Sequence, residues 1–218
     1  MTTRVNEPVG RPSFDLSKDQ RATLIDLVCR GARRAIERAD PGTLEVPLTR
    51  MVRKDMKRVK KERGITGLQV GGEYEVDDME ADGPELLGRI DVTVQFAHQF
   101  GDEEAVIAVE AKRVGGGQTT LNRAYVRDGV HRFVTGKYSA GHPWGFMLGY
   151  VIQPTAAQVV VAISDYLCFD YGPKSCLKED APHEDAALVR RSTHARDLGG
   201  EIGLTHVFMD ASRIGAAS

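Results

Sequence analysis

Two ionisable residues interrupt the end of an otherwise apolar segment, AVIAVEAKRV at residues 105–114. Side chains alternate between the two faces of a β-strand, so Glu110 and Lys112 point to the same face. An ionised group that is buried without a partner is so unfavourable that it shifts its pKa or acquires a counter-ion or a metal ion. This pair therefore needs a specific chemical environment at the end of its strand.

A further carboxylate, Asp91, interrupts the preceding apolar segment, RIDVTVQF at residues 89–96. We place Asp91 on a polar face of this strand, with an apolar face formed by Ile90, Val92, Val94 and Phe96. If the two strands form a hairpin with its turn at Gly101–Asp102, Asp91 lies opposite Glu110, with Cβ atoms roughly 4.5–5.5 Å apart. The two carboxylates would then repel each other unless a cation lies between them.

Hard oxygen ligands of this kind favour Mg²⁺, for which Mn²⁺ can substitute, over Zn²⁺. The backbone carbonyl of Ala111 could supply another ligand. Beside the ion, Lys112 could orient or deprotonate a water molecule, or stabilise charge that develops on a phosphate. The set of residues suits hydrolysis of a phosphodiester bond.

The spacing of apolar residues predicts the elements that position this set. Residues 17–40 predict a helix capped by Ser17 and ended by Pro41–Gly42. A second helix, beginning near Thr43 or Pro47, extends to Arg63. Three strands follow in the segments GLQVGGEYEV, GRIDVTVQF and AVIAVEAKRV, with turn-rich or acidic segments between them.

Beyond the third strand, TTLNRAYVRDGVHRFVTGKY predicts a helix despite Gly129, and WGFMLGYVI predicts a buried strand. Periodicity does not decide whether TAAQVVVAISDYLCF is a helix or a strand. A last short strand, LTHVFMD, follows the polar stretch 172–200. The order predicts an α/β fold, with a mixed central sheet flanked by helices on both faces.

At these residues the chain resembles the PD-(D/E)xK nuclease superfamily. The resemblance is carried by GRID at residues 88–91, VEAK at residues 109–112 and the element order αβββαβ, and it covers residues 43–152. Ile90 replaces the proline of the family's name. The resemblance implies a restriction-endonuclease-like core. We expect one domain, residues 1–218, with four parts: a loose arm (1–16), an N-terminal helix (17–40), a catalytic core (43–169) and a C-terminal extension (170–218).

The resemblance also implies roles for individual residues. Asp91 and Glu110 would bind the metal ion, and Lys112 would be the catalytic lysine. An acidic residue from the preceding helix often joins the site, and Glu45 fits that place best, with Asp55 as the alternative. A different interpretation remains open, because a Glu-x-Lys triplet is common and usually forms an ion pair worth ~0–1 kcal/mol at a surface.

DNA contacts are expected from the basic segment TRMVRKDMKRVKKERG and from the following helix. We select Arg53, Lys57, Lys60, Lys61, Arg123 and Arg132 as DNA-binding candidates. Lysine and arginine on such helices neutralise DNA phosphates, although a basic run is more often a solvated helix face. The composition is close to neutral, with 29 Lys and Arg against 31 Asp and Glu, so a polyanion site must be a local patch.

Other classes of protein fit the sequence poorly. The histidines lack the spacing of a zinc site, and no nucleophile elbow is present. The odd number of cysteines, Cys29, Cys168 and Cys176, argues against a disulfide framework and favours a reducing cytoplasm. No apolar stretch approaches the ~20 residues that span a bilayer, so no membrane association is expected.

We therefore expect a cytoplasmic, Mg²⁺-dependent DNA endonuclease that acts in restriction, repair or anti-phage defence. The alternative is a nuclease-fold module that no longer cleaves and serves as a DNA-binding or assembly subunit of a larger complex. Cleavage of RNA or of single strands is also compatible with the residues. Cutting both strands would favour a homodimer, whereas a monomer could nick one strand.

Overall fold

The computed structural model describes residues 15–77, 86–102, 105–139, 141–153, 155–197 and 199–215. Most of the predicted loose arm, residues 1–14, lies outside this part of the chain. The helices are α1 (Lys18–Arg38), α2 (Glu45–Glu62), α3 (Thr119–Ala124), a π-helical segment (Tyr125–Val130), α4 (His131–Val134), α5 (Ala156–Tyr171) and α6 (Ser212–Gly215). The strands are β1 (Leu68–Gly71), β2 (Tyr74–Asp77), β3 (Leu86–Ile90), β4 (Val92–Phe96), β5 (Ile107–Gly115), β6 (Trp144–Gln153), β7 (Lys178–Glu179), β8 (Leu188–Ala195) and β9 (Glu201–Asp210).

The helix predictions are confirmed. Ser17 caps α1 through a capping box, in which its hydroxyl accepts the Gln20 N–H at 3.2 Å. α3, the π-helical segment and α4 follow one another without a break, so the predicted helix does continue through Gly129. The segment that periodicity left open is helical as α5, which a second capping box at Thr155 and Gln158 begins.

A seven-stranded mixed sheet forms the centre of the molecule, with the order β1-β4-β5-β6-β9-β8-β7. β4 and β5 are antiparallel, whereas β5, β6 and β9 are mutually parallel. One face packs against α1 and α2 through residues such as Val109 and Ala111. The other packs against α5 and the helical residues 119–134 through residues such as Ala108 and Val114. The predicted α/β class, with a mixed sheet flanked by helices, is confirmed.

The predicted register of β4 and β5 is also confirmed. Val92 pairs with Val109, Thr93 with Ala108 and Val94 with Ile107. Continuing this register by one residue sets Asp91 against Glu110.

The predicted three-strand meander is wrong in one respect, because its first two strands are each divided. Gly72 and Glu73 separate β1 from β2, and Asp91 separates β3 from β4. β2 and β3 pair with each other outside the main sheet. Because the chain bends at Asp91, alternation is broken there, and Ile90 packs on the opposite sheet face from Val92.

The stretch 172–200 contains two strands that the sequence did not predict. β7 and β8 extend the sheet beyond β9, so part of the C-terminal extension belongs to the same sheet as the core. β8 buries the polar residues Ser192 and His194. Its sequence therefore lacks the apolar alternation that predicts a strand.

The expectation of unpaired cysteines is wrong for two of the three. Cys168, near the end of α5, and Cys176, after a short 3₁₀ turn, form a disulfide with Cα atoms 4.8 Å apart. The turn brings them together although they are eight positions apart in sequence. Cys29 is buried and free. Among the helices described, none is both long and apolar enough to cross a membrane.

Candidate active site

Three elements bring the predicted carboxylates together. Glu45 is the first residue of α2, Asp91 occupies the bend between β3 and β4, and Glu110 lies on β5. Two backbone amides fix the carboxylates against β5: the Arg113 N–H donates to Glu45 Oε2 at 2.8 Å, and the Ala111 N–H donates to Asp91 Oδ2 at 3.0 Å. Residues from three distant parts of the chain therefore converge on the middle of one strand.

The Lys112 ammonium lies at the centre of this convergence. Its Nζ donates to Glu110 Oε1 at 2.8 Å, to Glu45 Oε1 at 3.3 Å and to the Ala111 carbonyl at 3.2 Å. These three groups are among the four that the sequence suggested as metal ligands. Burial by itself would lower the pKa of Lys112, but Glu110 and Glu45 outweigh it and raise the pKa above its ordinary value. Lys112 is therefore a cation at neutral pH.

Of the three carboxylates, Glu110 has the environment that is least favourable to its ionised form. Its side chain is 0% exposed, and its Oε2 has no hydrogen-bond partner. Burial and the nearby Asp91 raise the pKa of Glu110 to about 7, against the opposing effect of Lys112 and Arg132. Burial also raises the pKa of Asp91, and Glu45 adds to that shift. The neighbouring cations therefore neutralise the charge of these carboxylates only in part.

Arg132 belongs to this cluster. Its NH1 donates to Glu110 Oε1 at 2.9 Å and to the Tyr138 hydroxyl at 2.6 Å. The Tyr138 hydroxyl in turn donates to the Arg89 carbonyl, two residues before Asp91. Arg132, which was predicted to contact DNA, donates to the Glu110 carboxylate, and its contact with DNA stays a prediction. The sequence contained no signal for Tyr138, because its role depends on how residues 119–138 fold over β5.

Close packing at Gly129 allows that arrangement. A Cβ atom at Gly129 would lie 2.5 Å from Met147 Cε and 3.7 Å from Lys112 Cγ. The π-helical segment therefore passes directly over the Lys112 side chain, which is only 15% exposed. A larger residue at this position would push the helix, and Arg132 with it, away from the sheet.

Asp55, the alternative to Glu45, lies elsewhere. It is buried between α1 and α2, where it accepts hydrogen bonds from Arg38 and, at 2.8 Å, from Arg58 NH1. Asp55 therefore ties two helices together, and Glu45 is the carboxylate of α2 that reaches β5.

The remaining DNA-binding candidates are spread over two surfaces. On α2, Lys57 and Lys61 are exposed and Lys60 is partly exposed, while the Arg53 guanidinium packs against Gly72. On α3, the Arg123 guanidinium lies 5.5 Å from the Tyr166 ring centroid, in a shallow pocket against α5. Arg123 is thus held away from the carboxylates.

A small arginine cluster beside the site was not expected from the sequence. Glu73, just before β2, forms ion pairs with Arg50 at 2.9 Å and with Arg89 at 3.4 Å. Arg53 also acts on this carboxylate, and together the arginines lower the pKa of Glu73. These arginines therefore group around Glu73, and Arg89 lies two residues before Asp91 in the sequence.

The donor chemistry of the site fits a hard divalent cation, although its present arrangement is that of an ion-pair network. Within the described ranges, no group of three or more histidine, cysteine or acidic side chains is arranged to hold a metal ion. The oxygens surround the Lys112 ammonium instead, and Glu110 Oε2 is buried without a partner. A cation would therefore have to share or take over oxygens that now accept from Lys112.

Comparisons with protein-family models, with curated proteins and with solved structures find no match to this chain. The resemblance to the PD-(D/E)xK nucleases thus rests on the two short motifs and the element order.

Proposed function

We propose that this protein is a Mg²⁺-dependent DNA endonuclease with a restriction-endonuclease-like αβββαβ core. The observation that carries the proposal is the convergence of Glu45, Asp91 and Glu110 on Lys112, around a wholly buried carboxylate whose Oε2 is unpaired. A fold rarely groups three carboxylates, one of them fully buried, around one lysine for stability alone, since desolvation offsets most of the Coulombic gain. Strongly perturbed ionisable groups are typical of active sites.

Asp91, Glu110, the Ala111 carbonyl and Glu45 would hold the ion. When bound, it would polarise a phosphate oxygen and make a bound water more acidic. Hydrolysis joins the water oxygen to phosphorus and breaks a phosphorus–oxygen bond of the backbone. Because Lys112 is a cation at neutral pH, it is suited to stabilise the negative charge that develops at the phosphate, rather than to remove a proton from water.

The cations near the site support DNA as the substrate. Arg50 and Arg89 pair with Glu73, Arg89 lies two residues before Asp91 in sequence, and the lysines of α2 lie further along the helix. Lys61 is sixteen residues from Glu45, or roughly 24 Å along the axis at the usual rise of 1.5 Å per residue. Several phosphates of one DNA segment could be neutralised over that length.

The second candidate is a non-cleaving DNA-binding or assembly subunit. It is favoured by the ion pairs that Lys112 forms with Glu110 and Glu45, which satisfy the lysine without any metal ion. In this case the network would only join α2 to the sheet. Metal binding separates the two candidates, since only the first requires it.

The protein would act in restriction, repair or anti-phage defence, and the Cys168–Cys176 disulfide removes the argument from cysteines for a reducing cytoplasm. A homodimer would cut both strands, and partner subunits could supply target recognition. The protein acting alone is nevertheless expected to nick or cut DNA.

The test is incubation of the purified protein with circular and linear DNA in Mg²⁺, in Mn²⁺ or in chelator. Cleavage is expected with either metal and not in chelator, and Glu110→Gln should abolish it. Intact DNA under all conditions, with the protein still binding DNA, would favour the non-cleaving subunit.

A further inference from the structure

A groove lined in part by polar side chains lies close to the carboxylate cluster on the same face of the sheet. Its volume is about 570 Å³, within the range of roughly 300–1,000 Å³ that small-molecule sites occupy. Its floor is formed by β1 and β4, and its rim by Tyr74 of β2 and the loop that follows β4. The side chains on the floor are Gln69, Thr93 and Gln95.

Strand pairing places this groove next to Glu110. Thr93 pairs with Ala108, which precedes Glu110 by two residues on β5, so both point to the same face. The groove therefore begins about 7 Å along the strand from Glu110, at 3.3–3.4 Å per residue. Opposite Thr93, a Cβ at Gly71 would lie 2.1 Å from the Thr93 hydroxyl oxygen, so a larger residue would displace that hydroxyl from the floor.

The lining suits a nucleobase rather than a phosphate. Among the described residues that line the groove, none is a lysine or an arginine. Gln69 and Gln95 are directly paired on adjacent strands, so their side chains leave the sheet next to each other on the same face. Gln95 Nε2 donates to the Asp102 carbonyl at 3.1 Å, which fixes the amide and presents Oε1 as an acceptor. An exocyclic amino group of a base is the donor that such an acceptor fits.

The rim supplies an aromatic surface. Tyr74, opposite Ile90 in the small sheet, is 42% exposed. Exposed aromatic rings beside nucleic-acid sites stack on unpaired bases, whatever their identity.

We propose that this groove binds one unpaired base of the DNA strand next to the phosphate that is cleaved, and that it favours bases with an exocyclic amino group. The proposal rests on the proposed nuclease function for the position of the phosphate. Stacking on Tyr74 would supply affinity, and the Gln95 acceptor would favour the exocyclic amino group of adenine or cytosine over thymine, whose only donor is the ring N3–H. The substrate class is then DNA with a single-stranded or locally opened segment.

The test uses fluorescently labelled oligo(dA), oligo(dC) and oligo(dT), with binding measured by anisotropy in chelator so that no strand is cut. The wild type should bind oligo(dA) and oligo(dC) about tenfold more tightly than oligo(dT). Gln95→Ala and, separately, Gln69→Ala should reduce that difference without weakening oligo(dT) binding. Tyr74→Ala should weaken all three about tenfold, whereas Phe169→Ala, which removes an exposed aromatic on α5, should change none.

The proposal is overturned if folded wild-type protein binds the three strands equally, or if the groove variants keep its preference. Binding of duplex DNA alone would also overturn it. Plasmid cleavage on the same proteins separates this failure from failure of the nuclease function. Cleavage without base preference would reject the proposed base-binding groove but support the nuclease function. Base preference without cleavage would support the groove but argue against the nuclease function.

Discussion

Glu110 determines how the site responds to pH. Its folded-state pKa of about 7 lies above the ordinary 4.5, so the folded protein binds this proton more tightly than the unfolded chain does. The resulting stabilisation is complete below about pH 4.5 and is lost as pH rises through 7. We therefore expect metal-free Glu110→Gln to match the wild type near pH 4.5 and to exceed its unfolding free energy at pH 8, by on the order of 3 kcal/mol.

Urea unfolding of both proteins at pH 4.5 and pH 8 measures this difference. A wild type that is the more stable of the two at pH 8 would mean that the ion pairs with Lys112 and Arg132 outweigh burial. That outcome would favour the structural role of the network.

Lys112→Ala should separate chemistry from metal binding. Its ammonium contacts Glu110 and Glu45 oxygens that the metal ion would also use, so its removal frees ligands while deleting a stabilising charge. Cleavage should slow by about 10²–10⁴ at saturating Mn²⁺. Single-turnover cleavage of a plasmid measures this rate, and an unchanged rate would remove Lys112 from the mechanism.

Substitutions of Glu45 and Asp55 should have different effects, the first on cleavage and the second on stability. Glu45→Gln should slow cleavage and raise the Mn²⁺ concentration it requires, because the variant has one charged ligand fewer. Asp55→Asn should leave the metal requirement unchanged and lower the unfolding free energy by about 1–3 kcal/mol, since it weakens charged hydrogen bonds to Arg38 and Arg58. Manganese titration of cleavage and urea unfolding measure the two effects. An exchange of the two outcomes would reject the assignment of Glu45.

The site residues that lie within strand motifs could be predicted from the sequence, whereas the residues that contact them from a later helix could not. Asp91, Glu110 and Lys112 could be selected because each is an ionisable residue within a largely apolar strand segment. Arg132 and Tyr138 could not, since their contacts depend on how a later helix crosses β5.

At the scale of elements, α2 is predicted to join the active site to the DNA. It begins with Glu45 and carries Lys57, Lys60 and Lys61 further along. Replacing these three lysines by alanine should weaken DNA binding and lower the slope of log affinity against log salt by about 0.9 for each phosphate that the variant no longer neutralises. Filter binding across a range of salt concentrations measures the slope.

The matched control replaces Lys18, Lys174 and Lys178, which are exposed and change the net charge equally. If the α2 variant and this control bind alike, with both folds intact, α2 is a solvated helix face.

The boundaries of elements were predictable only where apolar alternation continued. The register of β4 with β5 followed from the turn near Gly101 and from the pattern of the two strands. The bend at Asp91 was not predicted, because RIDVTVQF alternates without interruption through it. β8 was missed since its buried face is polar.

At the scale of the whole molecule, the central sheet lies between two layers of helices, and each layer contributes different residues to the site. α2 supplies Glu45 from one face, and the helical residues 119–134 supply Arg132 over the other. The carboxylates meet at β5, where both layers reach the same strand. Loss of packing on either face should therefore disturb the site even when β5 itself is intact.

The most direct test is calorimetric titration of Mn²⁺ into the metal-free protein. We expect one site in the wild type, its loss in Glu110→Gln and Asp91→Ala, and its retention in Lys112→Ala. The wild-type affinity should rise with pH through 7, as the Glu110 carboxyl ionises. No measurable binding to folded wild-type protein, or equal binding to the wild type and Glu110→Gln, would contradict a metal site at these carboxylates.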